Sequence, residues 1–303
     1  MMAGASVVAP AKSATGADSG PPPVDATGLA AHEQWKALLS RYSHVVFVAN
    51  SDAARLDSLV EELPETALYV FFNKVYKVLD RPFAGNALLV ARSGSAGANI
   101  VYRREVADVL RFFPTRQFLG IMNMRGNASE RFSPAGDFGF DRVGHLDLAG
   151  HFNGFYPANR IPSSGFALAV WLSELSPDCK IILTGFSARR SDKWKLFHQH
   201  DWTFEQVVLR LFIRLGKFGC SEAPEENPYA AIQRRFPGVT SYDIAVSAAE
   251  VLSERLEGAN HEIDGLMSVT KFNRAIHRFS RWLKPKTRKQ KLAEKISREK
   301  GGE

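Results

Sequence analysis

The feature that most constrains this chain is a series of short, unbroken apolar runs separated by segments with helical periodicity. Residues 44–49 (HVVFVA), 68–72 (LYVFF), 87–92 (ALLVAR), 117–122 (QFLGIM) and 180–186 (KIILTGF) are rich in β-branched and aromatic side chains and too short to be helices. Runs that are continuously apolar, rather than alternating, belong to strands buried on both faces, which means a parallel sheet covered by helices. Between the first two runs, Leu56, Leu59, Val60 and Leu63 recur at helical spacing until Pro64 stops the pattern. Residues 31–43, 105–113 and 166–175 also read as helices. The alternation predicts an α/β fold with a Rossmann-like, doubly wound, mostly parallel sheet. In such sheets ligands sit beyond the carboxyl ends of the strands. Asn50, Asn73, Ser93 and Asn123 all stand at those ends. Each alone is also an ordinary turn residue; together they predict a polar crevice.

The rest of the chain predicts three parts. Residues 1–30 are rich in Ala, Gly, Pro and Ser and read as disordered. Residues 31–260 form the α/β domain, and 261–303 form a basic amphipathic helix and tail, a helical C-terminal extension. Within the latter part, residues 271–300 hold twelve Lys and Arg against two Glu, a local charge of +10 where the whole chain carries +7. The remainder is therefore net acidic, which argues against nucleic-acid binding by the domain. Arg274, Arg278 and Arg281 lie largely off the apolar face of helix 272–283, and such a helix with a basic tail suits an anionic membrane surface. No apolar run approaches a membrane span, and two cysteines without metal-binding spacing fit a reducing compartment. Residues 125–160, which include His145, His151 and Asn153, show many glycines and aromatics and little periodicity, and read as a long loop or lid.

Two stretches carry chemistry. Ile161-Pro162-Ser163-Ser164-Gly165 precedes an apolar helix. A serine can cap that helix, glycine permits close approach, and the exposed N–H groups with the helix dipole favour an anion. Plain capping is the simpler reading of such a turn. His198-Gln-His200-Asp201-Trp-Thr-Phe-Glu205 opens the next helix, with Asp201 as its cap. His200 would sit just outside that helix, suited to proton transfer, with Glu205 in the first turns able to orient it. There is no Walker A motif, no GxGxxG and no DxD, so triphosphate-grasping classes and a metal held by paired carboxylates are not expected.

Taken in order, these motifs resemble the sialyltransferase family that uses CMP-sugars, which has animal and bacterial members. Its large motif is similar to Val48-Ala49-Asn50-Ser51 followed by Phe72-Asn73, its small motif to Pro162-Ser163-Ser164-Gly165 through Thr184-Gly185-Phe186, and its His-x4-Glu motif to His200–Glu205. The resemblance covers about residues 44–210. It departs at Ala49, where the family has Gly, and at Phe71, where it has Arg. Residues 44–73 contain no cysteine for the disulfide of the animal enzymes, which points to a cytosolic, bacterial-type relative. The resemblance implies a Rossmann-like fold of the variant GT-A-like kind and inverting transfer of a keto-acid sugar, of the sialic acid or Kdo type, from a CMP-sugar to a glycan or glycolipid hydroxyl. Asn50, Ser51, Asn73, Ser163, Ser164 and Gly165 would bind the nucleotide, His200 would be the base, and Glu205 and His198 would assist. No cofactor or metal is implied. The expected location is cytoplasmic, peripheral on the inner membrane face. The alternatives are a cytidylyltransferase that makes the CMP-sugar and a non-catalytic member that binds membrane through its basic tail.

Overall fold

The computed structural model describes residues 29–94, 99–175, 177–187, 199–221, 228–270 and 276. Residues 1–28, His198 and nearly all of the basic tail lie outside them. Contacts divide the chain into two compact units, Met1–Ala223 and Pro224–Glu303. In the first unit, helices α1 (Leu29–Leu39), α2 (Leu56–Glu62), α3 (Val106–Leu110), α4 (Ser164–Glu174) and α5 (Trp202–Arg214) alternate with strands β1 (His44–Val48), β2 (Ala67–Phe72), β3 (Asn86–Arg92), β4 (Phe118–Arg125), β5 (Val143–Asp147), β6 (Lys180–Thr184) and β7 (Gly219–Cys220). The second unit holds α6 (Pro228–Arg235) and α7 (Ser241–Val269). The division comes earlier in the chain than the expected boundary at residue 260, which falls inside α7. Among the described residues no helix is long and apolar enough to cross a membrane.

The seven strands form one open sheet in the order β5-β4-β3-β2-β1-β6-β7, and every pairing is parallel. The expected doubly wound α/β architecture is therefore present, with a wholly parallel sheet. Period-two alternation sends each strand's side chains into two separate cores. Val45 and Phe47 of β1, with Leu68, Val70 and Phe72 of β2, face Trp35 and Leu39 of α1 and the apolar length of α4. Val46 and Val48, with Tyr69 and Phe71, face Leu59 of α2 and Val109 of α3. Strand β4 changes phase once. Phe118 pairs with Ala87 and Gly120 with Leu88, so Leu119 is skipped. Gly120 takes φ 134, where glycine is at ease. The bulge puts Leu119, Met122 and Met124 together in the first core.

Two elements differ from expectation. Residues 125–160, read as a loop, contain β5, a parallel edge strand on β4. Its sequence, VGHLD, is too short and polar to stand out as a buried strand. Much of the remainder is packed: Phe152 and Tyr156 are buried against Phe166 of α4. Helix α7 runs through residue 269, across the boundary expected at residue 260. Pro64, by contrast, follows α2 directly, as expected, and the C-cap Leu63 is already extended at φ −94, ψ 152.

Gly185, after β6, has φ 78, and a Cβ there would lie 3.0 Å from the Ala54 Cβ and 3.2 Å from Ala54 backbone atoms. Gly185→Ala therefore meets both backbone strain and a rigid neighbour. It is expected to cost about 1–3 kcal/mol in urea denaturation; a loss below about 0.5 kcal/mol would show that the β1–β6 junction is not tightly closed.

Candidate functional site

The chain runs outward from β1 through β5, then returns to place β6 and β7 on the other side of β1. The winding direction thus reverses at β1/β6, the place where such sheets open a crevice at their carboxyl edge. Asn50, Asn73, Arg92 and Thr184 lie along that edge, at or just past the ends of their strands, whereas Asn123, expected at a strand end, lies inside β4, paired with Ala91 and His145. Asn50 Nδ2 donates to the Phe72 carbonyl at 2.7 Å, tying the end of β1 to the end of β2. Asn73 adopts a left-handed backbone, φ 46, tolerable for asparagine. Its Oδ1 accepts from the Arg92 N–H at 2.9 Å. Asn123 is wholly buried, accepting from Ser93 Oγ and donating to the Ser133 carbonyl, each at 2.7 Å. It is a structural link beneath the edge. Ser51 Oγ accepts from the Ala53 N–H at 3.2 Å and shapes the β1–α2 turn.

Helices α4 and α5 present their N-termini together. Ser163 caps α4 by accepting from Phe166 N–H at 3.3 Å, and Asp201 caps α5 by accepting from Phe204 N–H at 3.0 Å. The two caps are joined by Glu205. Its carboxylate accepts from Ser163 N–H at 2.7 Å, Ser163 Oγ–H at 2.6 Å and Tyr156 O–H at 2.8 Å. Tyr156 in turn accepts from Asp201 N–H at 2.9 Å. Burial raises the Glu205 pKa; the bonds from Ser163 and Tyr156, and the charge of Arg92, oppose that rise. The pKa of Tyr156 is raised by burial and by the neighbouring Glu205.

A carboxylate of the protein thus holds both donors of Ser163, in the place where the sequence expected a ligand's phosphate. Ser164 and the N–H of Gly165 remain at the start of α4. Gly165 also has a steric reason: a Cβ would lie 2.5 Å from a ring carbon of Phe186, whose ring covers it. Phe186, just past β6, also meets Phe72 of β2 edge-on at 6.5 Å between ring centroids, closing the edge above β1.

His200 is half-buried beside the same turn. Its Nδ1 is 2.6 Å from the Ile161 carbonyl. A carbonyl only accepts, so Nδ1 carries the hydrogen and Nε2 the lone pair when the ring is neutral. Burial lowers the His200 pKa, and Arg92 lowers it further; the Ile161 bond and Glu130 oppose this. The ring is therefore neutral at pH 7, and its Nε2 lone pair faces the Gln199 side-chain amide at 3.4 Å. The Ile161 N–H donates to the Gln199 carbonyl at 2.8 Å, a second strap between the two motifs.

Arg92 carries no motif, and sequence reasoning passed over it as the end of an apolar strand. It is only 9 % exposed. Its Nε donates to both oxygens of Glu130, at 2.8 and 3.0 Å, and Nη1 to the Pro162 carbonyl at 3.1 Å. Nη2 is buried and makes no hydrogen bond. Glu130 also accepts from the N–H groups of Gly126 and Asn127, at 2.8 and 3.1 Å. A Cβ at Gly126 would lie 2.6 Å from Arg92 Nη2, so glycine is what lets the guanidinium lie there. The available signal was the charge itself, a lone arginine closing an otherwise apolar buried run.

Of the expected residues, Ser163, Glu205 and His200 meet directly or through Ile161, while Asn50 and Asn73 lie at neighbouring strand ends. His145 and His151 stand apart from the α4–α5 caps: His145 meets Phe132 edge-on at 4.9 Å, and His151 lies 3.2 Å from Glu174. Comparisons with protein-family models, curated proteins and solved structures find no match.

Two measurements follow from this geometry. Glu205→Ala should cost about 2–4 kcal/mol in urea denaturation, because it strands a buried N–H and two hydroxyls, and Glu205→Gln clearly less. Equal, small losses would show that the carboxylate does not join the helices. For His200, NMR titration should place the midpoint below 6.5. Its unfolded state then binds more protons over the interval from 6.5 down to the folded pKa, so this group's stability is full above 6.5 and is lost as pH falls through that interval. A midpoint at or above 6.5 contradicts the buried environment.

Proposed function

We propose that the protein is an inverting glycosyltransferase that moves a keto-acid sugar from a CMP-sugar to a hydroxyl of a glycan or glycolipid. The observation that carries this reading is the neutral His200, with Nδ1 fixed on Ile161 and a basic Nε2, next to the Pro162–Gly165 turn. The reaction needs a base for one acceptor hydroxyl and stabilisation of one leaving phosphate. His200 Nε2 takes the acceptor proton as the acceptor oxygen forms its bond to the anomeric carbon. The anomeric C–O bond to phosphate breaks, and its electron pair leaves with CMP. Ser164, at the N-terminus of α4, is the donor left to receive that phosphate, since Ser163 already serves Glu205 and Phe186 covers Gly165. Asn50 and Asn73 border the nucleotide side. Glu205 acts as a positioning residue that holds the turn against α5. The basic segment 271–300 would favour an acceptor at an anionic membrane surface.

One observation favours a second reading. Glu205 satisfies the donors of Ser163 internally, as it would in a non-catalytic protein that keeps the architecture without the nucleotide. Transfer is tested by following CMP release from CMP-sugars with lysate glycans as acceptors. Wild type should release CMP, and His200→Ala should lower the rate by about 10²–10⁴-fold while CMP still binds by calorimetry. No release with any donor, together with no CMP binding, supports the non-catalytic reading; full turnover by His200→Ala removes His200 as the base.

A further inference from the structure

We infer that α7 is the interface of an antiparallel homodimer, formed with α7 of a second copy of this chain. The helix spans 29 residues, about 43 Å at the usual rise. Along it Tyr242, Ala249, Leu256 and Ile263 hold one position of a seven-residue repeat, and Ala245, Leu252, Ala259 and Leu266 the other. Alternating spacings of three and four, sustained along a whole helix, are the pattern that keeps one seam facing a partner helix. The large members of the seam are open to solvent: Tyr242 is 75 % exposed, Leu252 66 %, Leu256 62 %, Ile263 53 % and Leu266 65 %. Val251, also exposed, lies off the seam. Asp243, Glu250, Glu257 and Asp264 share a position away from the seam, and Glu254 and Glu262 add to the acidity against a single Arg255. So acidic a helix is repelled by an anionic membrane surface, which leaves a protein helix as the cover.

The seam is complementary to itself in one direction. Two parallel copies in register would stack alanine on alanine at 245, 249 and 259, leaving voids. They would also set Arg255 against Asn260 and Glu262 against Met267 of the second copy, with no charge paired. Reversed about a twofold axis between residues 257 and 258, Leu252 meets Ile263 of the second copy, Leu256 meets its Ala259 and Ala249 meets its Leu266. Large then faces small or another branched side chain, the arrangement that lets two helices approach and interdigitate. Arg255 comes opposite Glu262 of the second copy, and the symmetry makes that pair twice. Neither α4 nor the strand edge takes part, so the inference stands apart from the proposed activity.

Sedimentation equilibrium on the full chain tests it. Wild type should sediment as twice the 33.6 kDa chain at concentrations of about 10 μM. Leu252→Asp with Ile263→Asp should return it to one chain while near-UV dichroism is retained. Arg255→Glu and Glu262→Arg should each weaken the dimer about tenfold, and the two together should restore it to within about twofold. If the aspartate variant loses its near-UV signal, the charge exchanges alone decide. The inference is overturned by a single chain persisting to about 100 μM, by a mass of three chains, by a dimer indifferent to the aspartates, or by charge exchanges that do not compensate each other.

Discussion

The carboxylate of Glu205 is the contact on which the candidate site depends. A buried carboxylate is costly unless donors surround it, and here Ser163 contributes two donors and Tyr156 one. Those donors come from the cap of α4 and from the packed segment ahead of it, while Glu205 belongs to the first turn of α5. One anion therefore sets the relative position of two helix N-termini. His200 directly precedes the cap of α5 and Ser164 directly follows the cap of α4, so the same anion sets His200 against the N-terminus of α4. The aromatic contacts among Tyr156, Phe166 and Phe204, with centroids 5.3 to 6.2 Å apart, seal this junction from below.

Across the carboxyl edge the same device recurs. Glu130 is captured by two backbone N–H groups and by Arg92, whose other nitrogen reaches back to Pro162 at the mouth of α4. Arg92 and Glu130 thus act on His200 in opposite directions, and burial lowers its pKa. The Nδ1 bond to the Ile161 carbonyl meanwhile sets the ring in one tautomer. Chemistry that needs one proton moved and one phosphate received makes no larger demand on the site.

Much of this was legible in the residue order. Strands β1 to β4 and β6 announce themselves because strands buried on both faces of a parallel sheet must be apolar throughout. The edge strands do not: β5 mixes glycine, histidine and aspartate, and β7 has two residues, both exposed. The caps of α4 and α5 were readable because Ser163 and Asp201 are the residue types that caps require. That Ser163 also binds Glu205 was not readable, since a tie between residues 42 positions apart leaves no local periodicity. Arg92 was missed for a related reason: its partners, Glu130 and Pro162, lie 38 and 70 residues away. The length of α7 was obscured by Gly258 and Gly265, which interrupt helix-forming sequence without breaking the helix.

In the proposed transfer, the strand-end asparagines, the start of α4 and His200 form one site for a nucleotide bearing a single phosphate. Amide chemical-shift mapping with CMP, in the presence of EDTA, tests it most directly. Saturable shifts are expected at Ser164 and Gly165, at Asn50 and Asn73, and at His200, with α7 unmoved. Shifts confined to other surfaces, or none at millimolar CMP, would contradict it.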